Sequence, residues 1–260
     1  VPEHRFPRTT IVRGVAGQGG GFVTWVRTEP AEDGAGHPFT LPVVRALMER
    51  GGLGLDPGVT FLVGENGSGK STLIEALAVV FGMNPEGGSR NFRFSTRPED
   101  VPLAAHLVAR WHRRPRTDFF LRAESFFNAT TYLESLPDAP FRAYGGRTLH
   151  ERSHGQSFLD VVVHRFGPDG LYLLDEPEAA LSVRGCLALL RRMADLRARR
   201  CQFVVATHSP VLLALPGARI LQIDEDGTIE QVEFDRADPV VLTRRFLADP
   251  AGPLRELFAD

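Results

Sequence analysis

The 260-residue sequence contains only two cysteines, Cys186 and Cys201, and they form no CxxC pair. That excludes a disulfide framework and leaves two buried, reduced thiols as the expectation. No apolar stretch approaches the roughly 18 residues needed to cross a bilayer. Neither charge sign dominates: 30 basic residues face 32 acidic ones, a net charge of −2. A general attraction to nucleic acid or to an anionic membrane is thereby excluded, and any such contact needs a local patch. The opening VPEHRFPRTT lacks the charged-then-apolar pattern of a secretory signal. The chain therefore reads as cytoplasmic, although it starts at Val1 rather than Met. Internal repeats and long low-complexity segments are also absent.

What is present is a core-forming composition, 43% hydrophobic and 24% charged. The length suits one large domain or two small ones. Strand-like runs at Thr10–Val12 and Phe22–Val26 flank the glycine cluster Gly17–Gly21. Val59–Val63 is a short apolar run ending in Gly64, and Ser71–Phe81 carries apolar residues at helical spacing. Residues 83–150 mix Pro, Gly and Arg between short apolar runs. Within them, Leu107–Trp111 and Asp118–Glu124 flank the basic turn His112–Arg116 and read as a hairpin. From residue 156 the order is regular: helix at Gln156–Phe166, buried strand at Leu171–Leu174, long helix at Ala179–Arg199. A second buried strand at Gln202–Ala206, a short helix at Pro210–Ala214 and a hairpin at Ile220–Val232 complete the chain. Alternating strands and helices predict an α/β fold with a mixed or parallel sheet and flanking helices. A single domain over 1–260 is expected, with 83–158 as an inserted lobe of helices and strands.

Gly64-Glu65-Asn66-Gly67-Ser68-Gly69-Lys70-Ser71 fits G-x-x-x-x-G-K-[ST], with Thr72 following. Glycines let main-chain N–H groups turn inward around a phosphate. The helix beginning near Lys70 directs its positive dipole end at the same anion. Lys70 is long enough to reach β- and γ-phosphates, and the Ser71 hydroxyl suits Mg²⁺. Gly64–Thr72 is thus predicted to bind a nucleoside triphosphate in a P-loop NTPase fold.

Leu171–Leu174 runs into two adjacent acids, Asp175 and Glu176. Chemistry in an open α/β sheet gathers at strand carboxyl ends. Asp175 is placed to hold Mg²⁺ opposite Ser71, and Glu176 to orient or deprotonate the attacking water. An acidic turn capping the next helix is the plainer alternative for these acids, with Glu178 favouring the same helix end. Ser153-His154-Gly155-Gln156-Ser157 stands just before a helix, and Thr207-His208-Ser209-Pro210 follows the strand Gln202–Ala206. With these elements the chain resembles the ABC-type ATPases. Ser-His-Gly-Gln-Ser is similar to their signature, Glu178–Ser182 to their D-loop, and His208 to their switch histidine. Asp-Glu-Pro-Glu-Ala-Ala-Leu-Ser (175–182) and Ala-Thr-His-Ser-Pro (206–210) further resemble the soluble AAA/ABC branch related to RecF, SMC and OLD proteins. Val63–Ala76, Arg90–Arg97 and Phe119–Ala129 resemble small stand-alone ATPases of that branch.

The resemblance implies ATP and Mg²⁺ as cofactors and a head-to-tail dimer closing over ATP. Ser153, Gly155 and Gln156 of one copy would face the γ-phosphate held by the other, with Glu176 and His208 catalytic. It implies self-association, with DNA or a protein as a further partner in repair or defence. The nucleotide-binding subunit of a membrane transporter is the rival; the Glu-Pro-Glu and Thr-His-Ser-Pro variants argue against it. So does the lack of a Q-loop glutamine, for which Glu124 is the positional substitute beside the metal. His154 also replaces a usual glycine of the signature, and no upstream aromatic marks an adenine stacker. His150-Glu151-Arg152-Ser153-His154 spells the zinc-protease pattern H-E-x-x-H. The Gly155 that follows at once fits poorly with the mid-helix position such a site needs. Arg90, Asn91 and Arg93 are candidate nucleotide contacts by the same resemblance. The run His112–Arg116 reads as a solvated turn or a phosphate-contacting patch, and Arg191–Arg200 as the charged face of a helix.

Overall fold

Strand and helix follow one another at the periods that the sequence carries. The structure, a computed structural model, describes residues 21–30, 36–89, 101–126 and 154–258. In chain order come β1 (Val23–Thr28), α1 (Pro42–Arg50), β2 (Gly52–Gly54), β3 (Val59–Gly64) and α2 (Lys70–Phe81). Then follow β4 (Leu107–Trp111), β5 (Thr117–Arg122), α3 (His154–Arg165), β6 (Gly170–Asp175) and α4 (Val183–Arg197). The chain continues through β7 (Gln202–Ala206), α5 (Pro210–Leu213), β8 (Arg219–Ile223), β9 (Ile229–Val232), α6 (Asp238–Ala248) and α7 (Ala251–Leu257).

Among the described residues these strands form two sheets. The larger has the order β5-β6-β7-β3-β8-β9, parallel throughout except for the antiparallel β8–β9 pair. The smaller is antiparallel, in the order β2-β1-β4. β6 and β7 are buried along their whole length, as strands covered on both faces must be. On one face α2 lies between the two sheets, and Leu73, Ile74, Leu77 and Phe81 join Phe22, Trp111 and Leu173 in one core. α2 is apolar nearly all round, which suits a helix enclosed by both layers. On the other face α3 and α4 cover the large sheet through Phe158, Val162, Leu189 and Met193. This is the α/β architecture that the alternating pattern predicts.

The expected hairpin at Leu107–Glu124 is not formed. β4 pairs with β1 in the small sheet, whereas β5 pairs in parallel with β6 in the large one. The connecting residues are drawn apart at both ends: His112 N–H donates to Phe22 O and Arg116 N–H to Asp169 O. Two apolar runs joined by a short basic turn satisfy different sheets here because each finds a better-matched neighbour far away in sequence. Residues 90–100 and 127–153 of the predicted lobe, with the Arg90–Arg97 segment, and the Thr10–Val12 run lie outside the described residues. The β8–β9 hairpin forms as expected.

The sheet order fixes where chemistry gathers. β6, β7 and β3 are neighbours, with Asp175 in register with Ala206 and Leu62 also in register with Ala206. The glycine loop, the acid pair and the histidine segment therefore emerge side by side at one edge.

Candidate functional site

The loop between β3 and α2 takes the shape that its glycines allow. Gly67 and Gly69 sit at φ 83° and 91°, in the left-handed region that side-chain-bearing residues avoid. A Cβ on Gly64 would stand 2.5 Å from Ile223 O, so the start of the loop has no room for one. Lys70, 3% exposed, donates to Gly64 O at 2.8 Å and Glu65 O at 2.9 Å. Its ammonium is thereby tethered across the mouth of the loop. Burial lowers the Lys70 pKa, while Glu176, Asp175, Glu65 and Glu178 oppose that shift. Ser71 and Thr72 open α2 beside it, and His37, Leu41, Asn66 and Glu176 complete the lining of this cleft.

Ser71 Oγ donates to Asp175 Oδ1 at 3.3 Å. Two hard oxygen donors from different elements thus meet at the cleft, the donor type that Mg²⁺ prefers, with phosphate and water completing its shell. Among the described residues no ready-made cluster of three or more His, Cys, Asp or Glu forms a protein-only metal cage. A metal shared with a bound phosphate therefore fits this donor set better than a permanent one. Asp175 is pushed up to about 7, mainly by burial, with Arg122 opposing and Glu176 and Glu75 adding to the rise.

Glu176 follows in the left-handed region at φ 46°, with its N–H donating to Ala206 O at 2.9 Å. A non-glycine residue held there at a strand end is a frequent mark of a functional position. His208 Nε2 lies 3.6 Å from Glu176 Oε1. The His208 backbone is fixed from the acid side, since its N–H donates to Glu178 Oε1 at 2.5 Å. Lys70 and Ser71 at the start of α2, Asp175 and Glu176 at the end of β6, and His208 just after β7 are brought together.

Comparison with known proteins places this geometry in a family. An AAA-domain family model matches residues 49–108. A second, whose description names an AAA domain and a candidate AbiEii toxin of a type IV toxin–antitoxin system, matches 142–214. The cytochrome c biogenesis ATP-binding export protein CcmA of Rhodopseudomonas palustris is 30% identical over 175 residues, which span 61% of this chain and 82% of that protein. The chain belongs to the ABC/AAA class of P-loop ATPases. Among solved ATPases of this class, cbiO1 of Clostridium perfringens gives a TM-score of 0.47 at 15% identity, covering 90% of this chain and 99% of that one. The SMC head domain of Thermotoga maritima gives 0.40 at 16% identity, covering 70% and 93%.

The other predicted residues of this ABC/AAA ATPase are distributed as follows. Gly155 and Gln156 stand at the beginning of α3 and line neither cleft of their own subunit. A Cβ on Gly155 would instead lie 3.0 Å from Ala180 O, so this segment packs against the turn after the acid pair. Ser153, His150 and Glu151 lie outside the described residues, and with them the H-E-x-x-H pattern. Glu124 lines a second cleft of about 490 Å³ with Ser71, Asp175 and Glu176. Its carboxylate is bound by Arg122, Nη2 to Oε2 at 2.9 Å. Arg122 is a residue that the motifs did not single out, and its one sequence signal is a cation ending an apolar strand. Glu178, which opens the D-loop-like Glu178–Ser182, carries no sequence sign of its contact with the histidine segment. No described helix is long and apolar enough to cross a membrane.

Proposed function

We propose that this ATPase hydrolyses ATP at the Gly64–Thr72 loop, and that two copies close head to tail over the nucleotide. The convergence of Ser71, Asp175, Glu176 and His208 on one strand edge carries the reading. The glycine loop and the N-terminal end of α2 receive the β- and γ-phosphates, with Lys70 exchanging loop carbonyls for phosphate oxygens. Ser71 and Asp175 are the residues that would hold Mg²⁺, which supplies charge neutralisation between the phosphates. Glu176 orients water and accepts its proton as the new oxygen–phosphorus bond forms and the bond to ADP breaks. His208, held through Glu178, lies beside Glu176 and contacts the same phosphate. Ser153, Gly155 and Gln156 serve the partner's nucleotide, a role supported by Gly155 and Gln156 lining neither cleft of their own chain. Glu124 belongs to the metal side of the site by way of Arg122.

The cargo reading follows the soluble branch, with DNA or a protein moved or released as the dimer opens. The CcmA relatives, which are ATP-binding export proteins, favour a second reading, the ATP-binding subunit of an export complex. Glu176→Gln tests the core mechanism. Turnover should fall by about 10²–10⁴-fold, and ATP should trap a dimer visible by light scattering. Full turnover in that variant would remove Glu176 from the chemistry. Stimulation of the wild-type ATPase by DNA would favour the soluble reading, and co-purification with a membrane-spanning protein the export one.

A further inference from the structure

Arg122 so far enters the site only as the partner of Glu124, yet it faces three carboxylates there. It ends β5 directly in register with Asp175, which ends β6. Its Nη1 meets Glu75 Oε1 on α2 at 2.5 Å, and its Nη2 meets Glu124 Oε2 at 2.9 Å. The third contact is different in kind. Nε faces Asp175 Oδ2 at 3.5 Å, and this buried nitrogen has no hydrogen-bond partner among the described residues. Arg122 therefore lies close to two carboxylates, the partly buried Glu75 and the exposed Glu124, and farther from the third, Asp175.

Asp175 is 4% exposed in its side chain, and Ser71 meets its Oδ1 while Arg122 faces its Oδ2. If Asp175 is a metal residue, as the proposed function holds, a second cation already occupies one of its oxygens. Two cations drawn to one carboxylate compete at these distances, because a partly buried pair is poorly screened. A guanidinium anchored on Glu75 and Glu124 can release Asp175 without leaving the cleft or losing its own charge partners.

We propose that Arg122 is a positioning residue that competes with Mg²⁺ for Asp175 and so sets how much metal the site needs to capture a nucleotide. Its charge balances the buried carboxylate and keeps Oδ1 turned toward Ser71. When metal and nucleotide enter, the long Nε contact is given up and the two short ones remain. The segment following β5, which begins with Ala123 and Glu124 on the wall of the same cleft, is thereby linked to the state of the metal residue.

The test is binding of a fluorescent, non-hydrolysable ATP analogue to the full chain, with Mg²⁺ titrated in mildly alkaline buffer and a parallel series in EDTA. Arg122→Gln should lower the half-saturating Mg²⁺ by about three- to tenfold, the scale of one poorly screened charge contact. Its affinity for the analogue in EDTA should stay within about twofold of wild type. Arg122→Lys, which keeps the charge, should restore a Mg²⁺ requirement close to wild type. An unchanged or increased Mg²⁺ requirement in Arg122→Gln, with a normal melting profile, would overturn the proposal. So would loss of binding in EDTA, which would place the guanidinium on phosphate instead. If Arg122→Gln does not fold, Arg122→Lys decides alone: a requirement shifted as far as the glutamine variant was expected to go refutes a role of charge. Failure of the wild-type chain to bind the analogue, or equal binding by Lys70→Ala, would sink the nucleotide-site reading itself, and that result is recognisable before any Arg122 variant is compared.

Discussion

At the scale of single residues, the site is a balance between burial and charge. Asp175 carries the clearest measurable consequence. Its pKa is pushed up from the ordinary carboxylate range to about 7, chiefly because burial disfavours the carboxylate. The folded state therefore holds a proton that the unfolded chain has already lost. The stabilising contribution is complete below about pH 4 and is lost as the pH rises through about 7. Asp175→Asn removes that dependence. The variant should melt higher than wild type above pH 7 in the absence of nucleotide, and the difference should shrink toward pH 4; parallel calorimetric scans across this range check it. Equal melting temperatures at every pH would mean that neighbouring charges, Arg122 first, already offset the burial. The same residue explains what reading the sequence achieves and misses. Gly64–Thr72 was legible because its chemistry is contiguous, and Asp175–Glu176 because an apolar strand runs straight into them. Arg122 was not, since its meaning depends on β5 lying in register against β6, and no local pattern announces that pairing. In the sequence Glu178 reads as an acid favouring a helix end and as the start of a D-loop-like segment. Its grip on the His208 N–H appears only once β6 and β7 lie side by side.

At the scale of elements, one buried amide joins the two sheets. Gln202 is 0% exposed and begins β7 in the large sheet. Its Oε1 accepts from the Phe22 and Val23 N–H groups, and its Nε2 donates to Val23 O and Asp56 O. Gln202→Leu would leave these backbone groups unpaired in a dry interior. The expected cost is about 2–4 kcal/mol of stability, read from urea unfolding, with the nucleotide loop itself untouched. A loss below about 0.5 kcal/mol would mean that the surrounding backbone finds other partners. The sequence placed a strand at Gln202–Ala206 and read it as buried. It did not mark Gln202 as a staple, because a polar residue opening an apolar run is an ordinary strand boundary. The hairpin expected at residues 107–124 failed for a related reason. Alternation and a turn signal say that two strands exist, but not which sheets take them. β4 closes against β1 and β5 against β6, so a short connection spans two layers.

At the scale of the whole molecule, the proposed pairing of copies makes the strongest demand. Gly155 abuts Ala180 O rather than the loop of its own chain. The proposed pairing gives this signature-like segment its work on a second copy's nucleotide. Ser153→Arg should therefore stop turnover while a fluorescent nucleotide still binds the separate chain with wild-type affinity. Mixing that variant with Lys70→Ala should restore part of the rate, because one composite site then combines an intact loop with an intact signature. Turnover that survives in Ser153→Arg alone would remove the trans site. Family membership was legible from motifs spread along most of the chain. The partner and cargo are not written in those motifs, since a phosphate pocket is the same whatever its closure drives.

α2 is clasped by a sheet on either side and begins at the very lysine that meets the nucleotide. Such a helix, none of whose residues is fully exposed, has little room to slide or tilt, so the socket for the phosphates is cast before any guest arrives. Its amides should exchange with heavy water as slowly in the bare protein as in the loaded one. Whatever travels during a cycle is then the rim, the turns at Glu176–Leu181 and Thr207–Ser209 together with the arriving copy. The mould itself stays still.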